Sequence, residues 1–239
     1  MIKIENTEVI GWEAAIRGMR NPMNSWDKSD SYDAYKPEYM SKHAPFNYHI
    51  GPNDLKLMHD LRASGSDHRK FMRMIIVYAD ITAPLYWWKE FDTYKVGTVA
   101  NSCSTMHTIA NKEFTLNDFS HEHLSEEREL NLDDKCPGIF GATQEFSGSS
   151  ISIMRIICDV LNFYRQKFLE TGDKNYWWQM IQLLPSSYNQ KRTIMLNYEV
   201  LANIYKSRRN HKLDEWHVFC DWIEEQLPYS ELITGKEEA

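Results

Sequence analysis

From Ser149 to Gln226 the chain is written almost wholly in helical periods, and this stretch constrains the fold more than any other. Ser147 or Ser149 stands as an N-cap ahead of Met154, Ile157, Leu161, Tyr164 and Phe168, which recur on one helical face until Gly172. The spacing predicts a second helix over about 176–184, stopped by Pro185. Two further strongly periodic helices are expected over roughly 190–209 and 213–226. Few Gly and Pro, with eight Trp and thirteen Tyr, favour packed helices over a turn-rich all-β fold.

The N-terminal half reads differently. Residues 2–9 look like a short strand, and 21–48 form an excursion rich in Asn, Asp, Ser, Tyr and Pro without a clear period. Its aromatics argue for an ordered loop and against disorder. A helix is expected over 54–63 with Asn53 as N-cap. Residues 71–81 fit both a strand and a helix template, and periodicity cannot decide between them. Pro84 fits the first turn of a helix running to about Lys95 and ended by Gly97. No repeat or linker divides the chain, so residues 1–239 are expected to be one domain.

With 34 acidic and 27 basic residues the net charge is −7, which argues against a dedicated surface for polymeric nucleic acid. Cys103, Cys136, Cys158 and Cys220 form no CxxC pair and read as reduced thiols of a cytoplasmic protein, with Cys103 a buried, inert one. No leader-like layout follows Met1, and no apolar stretch is long enough for a bilayer, so no membrane partner is expected.

Three constellations carry chemistry. On the helix expected over 190–209, Asn197 and Arg208 lie about 20° from a common face at roughly 100° per residue. A guanidinium fork beside an amide suits a planar, carbonyl-bearing ligand. Lys206, Arg208, Arg209, His211 and Lys212 follow, readable as a solvated basic helix end or as an anion clamp. Residues 90–107 place Lys95, Asn101, Ser102, Ser104 and Thr105 after a helix, a composition that hydrogen-bonds phosphate and sugar oxygens or satisfies its own turn. His68, His121 and His123 lack partners at ligand spacing, so no metal is expected. Ser104, Ser150 and Cys103 sit in no activating signature, and neither a P-loop nor a GxGxxG fingerprint is present.

At these segments the chain resembles the flavin-dependent thymidylate synthases, the ThyX family, with its central signature RHRxxSxNExSxRY and a later helix of the form LP…NxRxLxxFxxLR. Leu184-Pro185 and the run from Asn197 through Leu201 and Asn203 to Arg208 align with the later helix without a gap, with Glu199 where the family has Arg. Thr93-Tyr94-Lys95 stands in the place of Arg-His-Arg, Thr98 in that of the first Ser, and Asn101 and Ser104 survive. His68 falls where the family has a His ahead of a strand, and Glu90 where it has Gln or Glu.

The resemblance implies an α+β subunit with a twisted, mainly antiparallel sheet and long helices, assembled as a homotetramer. It implies methylation of dUMP at C5 with FAD, methylenetetrahydrofolate and NADPH. Arg208 would contact the pyrimidine carbonyls, and Ser104 the phosphate or ring; these are the catalytic candidates, with Glu90 as a further substrate contact. His68, Lys95, Asn101, Asn197 and Asn203 would contact FAD, with Asn203 about 120° from Asn197 on an ideal helix. The lost arginines, and Met106 where the family places a phosphate-binding Arg, remove contacts worth roughly 1.5–3 kcal/mol each. Lys191, Arg192 and Arg209 are the candidates to replace them. Other readings are C5 methylation or hydroxymethylation of another pyrimidine nucleotide, a non-catalytic nucleotide- or flavin-binding relative, and a helical interaction protein.

Overall fold

The computed structural model describes residues 2–33, 48–127, 130–131 and 147–236. Residues 34–47 of the excursion, and Cys136, lie outside them. In chain order the elements are β1 (Lys3–Ile10), α1 (Trp12–Arg20), β2 (Tyr32–Asp33), β3 (Tyr48–His49), α2 (Pro52–Ala63), a 3-10 turn (Arg69–Met74), β4 (Ile76–Pro84), α3 (Leu85–Phe91), β5 (Val99–Ser102) and α4 (Thr105–Thr108). Then follow β6 (Leu130–Asn131), β7 (Ser147–Gly148), α5 (Ser150–Thr171), α6 (Lys174–Leu183), β8 (Asn189–Asn197), α7 (Tyr198–Arg208), α8 (Asp214–Gln226) and α9 (Glu231–Thr234).

The class is α+β, with a mainly antiparallel arrangement of strands. The main sheet has four strands in the order β1-β4-β8-β5. Two antiparallel ribbons accompany it, with Tyr32 opposite His49 and Leu130 opposite Gly148. Along β4, Val77, Ala79, Ile81 and Ala83 are buried while Tyr78 is exposed, the alternation of a strand with one face on a core. Residues 71–81 therefore use both of their templates in turn, a 3-10 turn and then a strand.

The chain divides by contact into two compact units, one from 82–90 and 102–191, the other from 2–81, 91–101 and 192–239. In the first, α5 packs on α6 around Phe114, Phe119, Met154, Cys158, Leu161 and Met180. Helix α5 begins as expected, with a capping box in which Ser149 and Ser152 exchange hydrogen bonds, and ends at Gly172 in the left-handed region (φ 66°). Asn162 fixes the preceding loop by accepting from Phe114 N at 2.8 Å and donating to Phe114 O at 2.9 Å.

Three expected boundaries move. The N-cap of α2 is Gly51, not Asn53, and Pro52 opens the helix. Its free N–H groups are satisfied from a distance: the Asp30 carboxylate accepts from Asn53 N at 2.9 Å and Asp54 N at 3.1 Å. Pro84 closes β4 instead of opening a helix, and α3 stops at Phe91, short of Lys95. The third correction matters most. Residues 189–197 are not helical but form β8, in which Ile194 and Leu196 are buried, and only from Tyr198 does the helix run. Consecutive apolar residues at 194–196 satisfy either period, and the β4 and β5 neighbours that select the strand lie far away in sequence.

Candidate functional site around helix α7

Helix α7 is held by the 3-10 turn, α8 and α9. Asn197 is its N-cap, in an extended conformation, and its Oδ1 accepts from Val200 N at 3.0 Å. The shared face expected for Asn197 and Arg208, and the 120° offset to Asn203, are therefore corrected, because Asn197 precedes the helix and spends its carbonyl on the helix terminus. Asn203 and Arg208 do lie on α7.

At the far end of α7, Arg208 Nε donates to Tyr94 Oη at 2.9 Å. The guanidinium carbon also lies 4.8 Å from the Trp216 ring centroid and 5.6 Å from that of Tyr94. Two aromatic faces and one hydroxyl thus fix the plane of the fork, which a flexible ammonium would not permit. Tyr94 is in turn held by Thr98 Oγ1, which donates to its carbonyl. Three residues on, Gly97 (φ 76°) closes against the start of α7, where an added Cβ would sit 3.0 Å from Asn197 Nδ2 and 3.2 Å from Val200 Cγ2. The 94–98 loop therefore touches both ends of α7, with Lys95 exposed on it.

Glu199, in the first turn of α7, faces the 3-10 turn. Its Oε1 accepts from Arg69 Nε at 3.2 Å and from Arg73 Nη2 at 3.2 Å, and its Oε2 from Arg73 Nε. Arg69 Nη2 also donates to Asn203 Oδ1 at 3.4 Å. Burial pushes the Glu199 carboxyl up, but the hydrogen bonds and charges of Arg73 and Arg69 outweigh it and hold it below its ordinary value. On its other side the same turn borders a cleft of about 650 Å³, where Asp67, His68 and Lys70 meet a wall that includes Met19, Leu57, Leu61, Phe71 and Met74.

Of the residues singled out from sequence, His68, Lys95, Asn101, Asn197, Asn203 and Arg208 belong to this second unit, and Glu90 and Ser104 to the first. His68, Lys95, Asn101, Ser104 and Asn203 are exposed, Glu90 and Arg208 half-buried, Asn197 buried. Asn101 lies on β5, and Ser104 precedes α4, its carbonyl accepting from Thr108 N at 3.1 Å. Cys103 is exposed, contrary to expectation, because it lies between the end of β5 and the start of α4, outside the packed core. The expected substitute cations are engaged elsewhere: Arg192 Nη1 donates to Asp92 at 2.7 Å, and Arg209 pairs with Asp221 and Glu224. The sequence singles out none of Trp216, Arg69 and Arg73, and it marks Tyr94 only as a departure from Arg-His-Arg. The signal for the two arginines was Glu199 itself, a carboxylate that needs cations.

Among solved structures, ThyX from Helicobacter pylori complexed with FAD and dUMP matches in two instances. One is 15% identical with a TM-score of 0.62, over 98% of this chain and 98% of that chain. The other is 15% identical with a TM-score of 0.63, over 99% and 100%. The fold is the ThyX fold. The UMP/dUMP methylase PolB from Streptomyces cacaoi, bound with 5-Br UMP, shares it at 14% identity and a TM-score of 0.55, over 94% of this chain and 88% of that chain. No protein-family model and no curated protein sequence matches the chain. At such identity the ThyX likeness carries the backbone architecture, and the chemistry has to be argued from the side chains.

Proposed function

We propose that this chain is an FAD-dependent enzyme that methylates C5 of a pyrimidine nucleotide. The substrate is dUMP, the carbon donor methylenetetrahydrofolate and the reductant NADPH, and the working assembly is a homotetramer. The observation that carries the reading is Arg208, a guanidinium locked in plane by Tyr94 and Trp216 on the last turn of α7 in a ThyX fold.

The donor set suits a flavin. His68 lies on a mostly apolar cleft of about 650 Å³, a volume in the range of small-molecule sites. Lys95, Asn101 and Asn203 present exposed polar ends, and Asn197 retains only its amide nitrogen for a ligand. Bound FAD supplies the redox chemistry, and the protein supplies orientation and charge. Arg208 stabilises negative charge developing on the pyrimidine carbonyls as C5 becomes nucleophilic, an electrostatic role that needs no protein nucleophile. Ser104 and Glu90 are assigned to the nucleotide.

UMP is the second substrate reading, supported by the likeness to PolB and by Thr93-Tyr94-Lys95 in place of Arg-His-Arg. Purified protein should carry flavin absorbance near one per chain, and colourless protein that ignores added FAD would sink the proposal. Reduced holoenzyme with methylenetetrahydrofolate should convert dUMP to a product in which a methyl group replaces the C5 hydrogen, heavier by one CH2. Parallel incubations with UMP and dCMP identify the base and sugar accepted.

A further inference from the structure

Two guanidiniums share one carboxylate at Glu199 and the Asp67 charge also acts on Arg73, so it is Lys206 that leaves the ion cluster with an excess positive charge inside a chain whose net charge is −7. Lys206 belongs to it, since Glu199, Asn203 and Lys206 fall on one stripe of α7 at helical spacing. Among the described residues, Arg69 Nη1, Arg73 Nη1, the Asn203 amide nitrogen and Lys206 Nζ carry no hydrogen bond. The Arg73 side chain is 52% exposed and that of Arg69 27%, whereas Glu199 is 12% exposed. The carboxylate is therefore the inner anchor, and the arginines are its outward-facing load. Arg62 senses the same field: burial first, then the Arg69 charge, lowers its pKa from the ordinary value.

We propose that Arg69 and Arg73, clamped on Glu199 beside Asn203, form the phosphate-binding site of this chain, with Glu199 as the positioning residue. The inference rests on the function proposed above for the identity of the phosphate, but the anion site stands on its own geometry. The Nε–Nη2 edge of Arg73 is taken by Glu199 and that of Arg69 by Glu199 and Asn203 together, which leaves the Nη1 side of each pre-oriented, and Arg forks bind phosphate oxygens bidentately. Asn203 Oδ1 is occupied by Arg69, which leaves its amide as a donor only. The site thus offers donors throughout. Its ligand is the phosphate of a nucleotide or the pyrophosphate of a dinucleotide.

Titration of the full chain with inorganic pyrophosphate tests the site directly. Binding that weakens about tenfold or more in Arg69→Ala and in Arg73→Ala supports it. No wild-type binding, or equal affinity in both variants, overturns it. Arg73→Lys keeps the charge without the fork and should fall between wild type and Arg73→Ala. Glu199→Gln separates positioning from net charge. Removing a negative charge by itself tightens anion binding, whereas loss of the clamp weakens it; about fivefold weakening is expected, and tighter binding overturns the positioning role.

Titrations with FAD, riboflavin and dUMP then identify the source of the phosphate. FAD affinity that falls in the arginine variants while riboflavin affinity holds assigns the dinucleotide pyrophosphate; a fall for dUMP alone assigns the nucleotide. Pyrophosphate binding through Arg69 and Arg73 in a chain that takes neither FAD nor dUMP keeps the site and removes the proposed function. FAD and dUMP binding that the variants leave unchanged removes the site and keeps the function.

Discussion

Two carboxylate clusters in the second unit use the same chemistry in opposite settings. Asp54 is fully buried with Arg20 at 5% exposure, and its oxygens accept from Arg20 Nε at 2.6 Å, from the Ser29 and Ser31 hydroxyls at 2.7 Å each, and from Asp30 N and Ser31 N. Glu199 also gathers guanidiniums, but those reach solvent. At Asp54 every bond ties residues 20–31 to α2, so the cluster is architecture and has nothing left to offer a ligand. At Glu199 one carboxylate holds two guanidiniums, and their unused edges face outward. Burial and stoichiometry, not the presence of an ion pair, separate a lock from a site.

The largest expected break in that contrast is Asp54→Ala, which strands the buried Arg20 charge and should cost about 3–5 kcal/mol. Thermal melting should fall by roughly 10 °C for a chain of this size, and an unchanged midpoint would refute the lock. Acid sharpens the same point. Burial raises the Asp54 carboxyl, but the hydrogen bonds from Ser31, Ser29 and Arg20 and the Arg20 charge leave it below its ordinary value. The group's folded pKa is depressed, so its contribution is complete above about pH 4. It is lost as pH falls through the folded pKa, and an acid titration of Asp54→Asn should lack that component.

Arg208→Ala comes next and should act on turnover, not on folding. About a hundredfold loss of methylation rate is expected, read by single-turnover product formation, with a melting midpoint within a few degrees of wild type. Full activity would remove Arg208 from the reaction. Asn197→Ala removes the α7 cap and should cost about 1 kcal/mol, measured by urea unfolding; a larger loss of flavin affinity than of stability would give its amide nitrogen a ligand role. The smallest stability effect belongs to Glu199→Gln, about 1 kcal/mol or less because Arg73 is exposed and Arg69 partly so. A destabilisation as large as that of Asp54→Ala would turn the second cluster into another lock.

Much of this was legible in the amino-acid order, and the exceptions share a cause. Ser149 and Gly172 mark α5 because capping chemistry is local and each end carries its own signal. The border between β8 and α7 was hidden, because Ile194, Met195 and Leu196 suit either period and the deciding neighbours are other strands. For the same reason helical spacing puts Asn197 on a helix face, whereas it is the cap. Arg208 and Asn203 could be picked out on one helix. Arg69, Arg73 and Tyr94 could not, since their partners lie more than a hundred residues away and only the folded chain brings them together. Asp30, capping a helix more than twenty residues downstream, escaped by the same route.

Gly97 sets the clearance between the 94–98 loop and α7 with a missing methyl group. A wedge as small as Gly97→Ala, strained already by its positive φ, would lever the loop outward about its contact with Asn197 and Val200. The lever's other arm is Tyr94, so the displacement would be read at the opposite end of the helix as a guanidinium that has lost its hydroxyl tether. One hydrogen atom in place of a side chain thereby calibrates the position of Arg208, a helix length away.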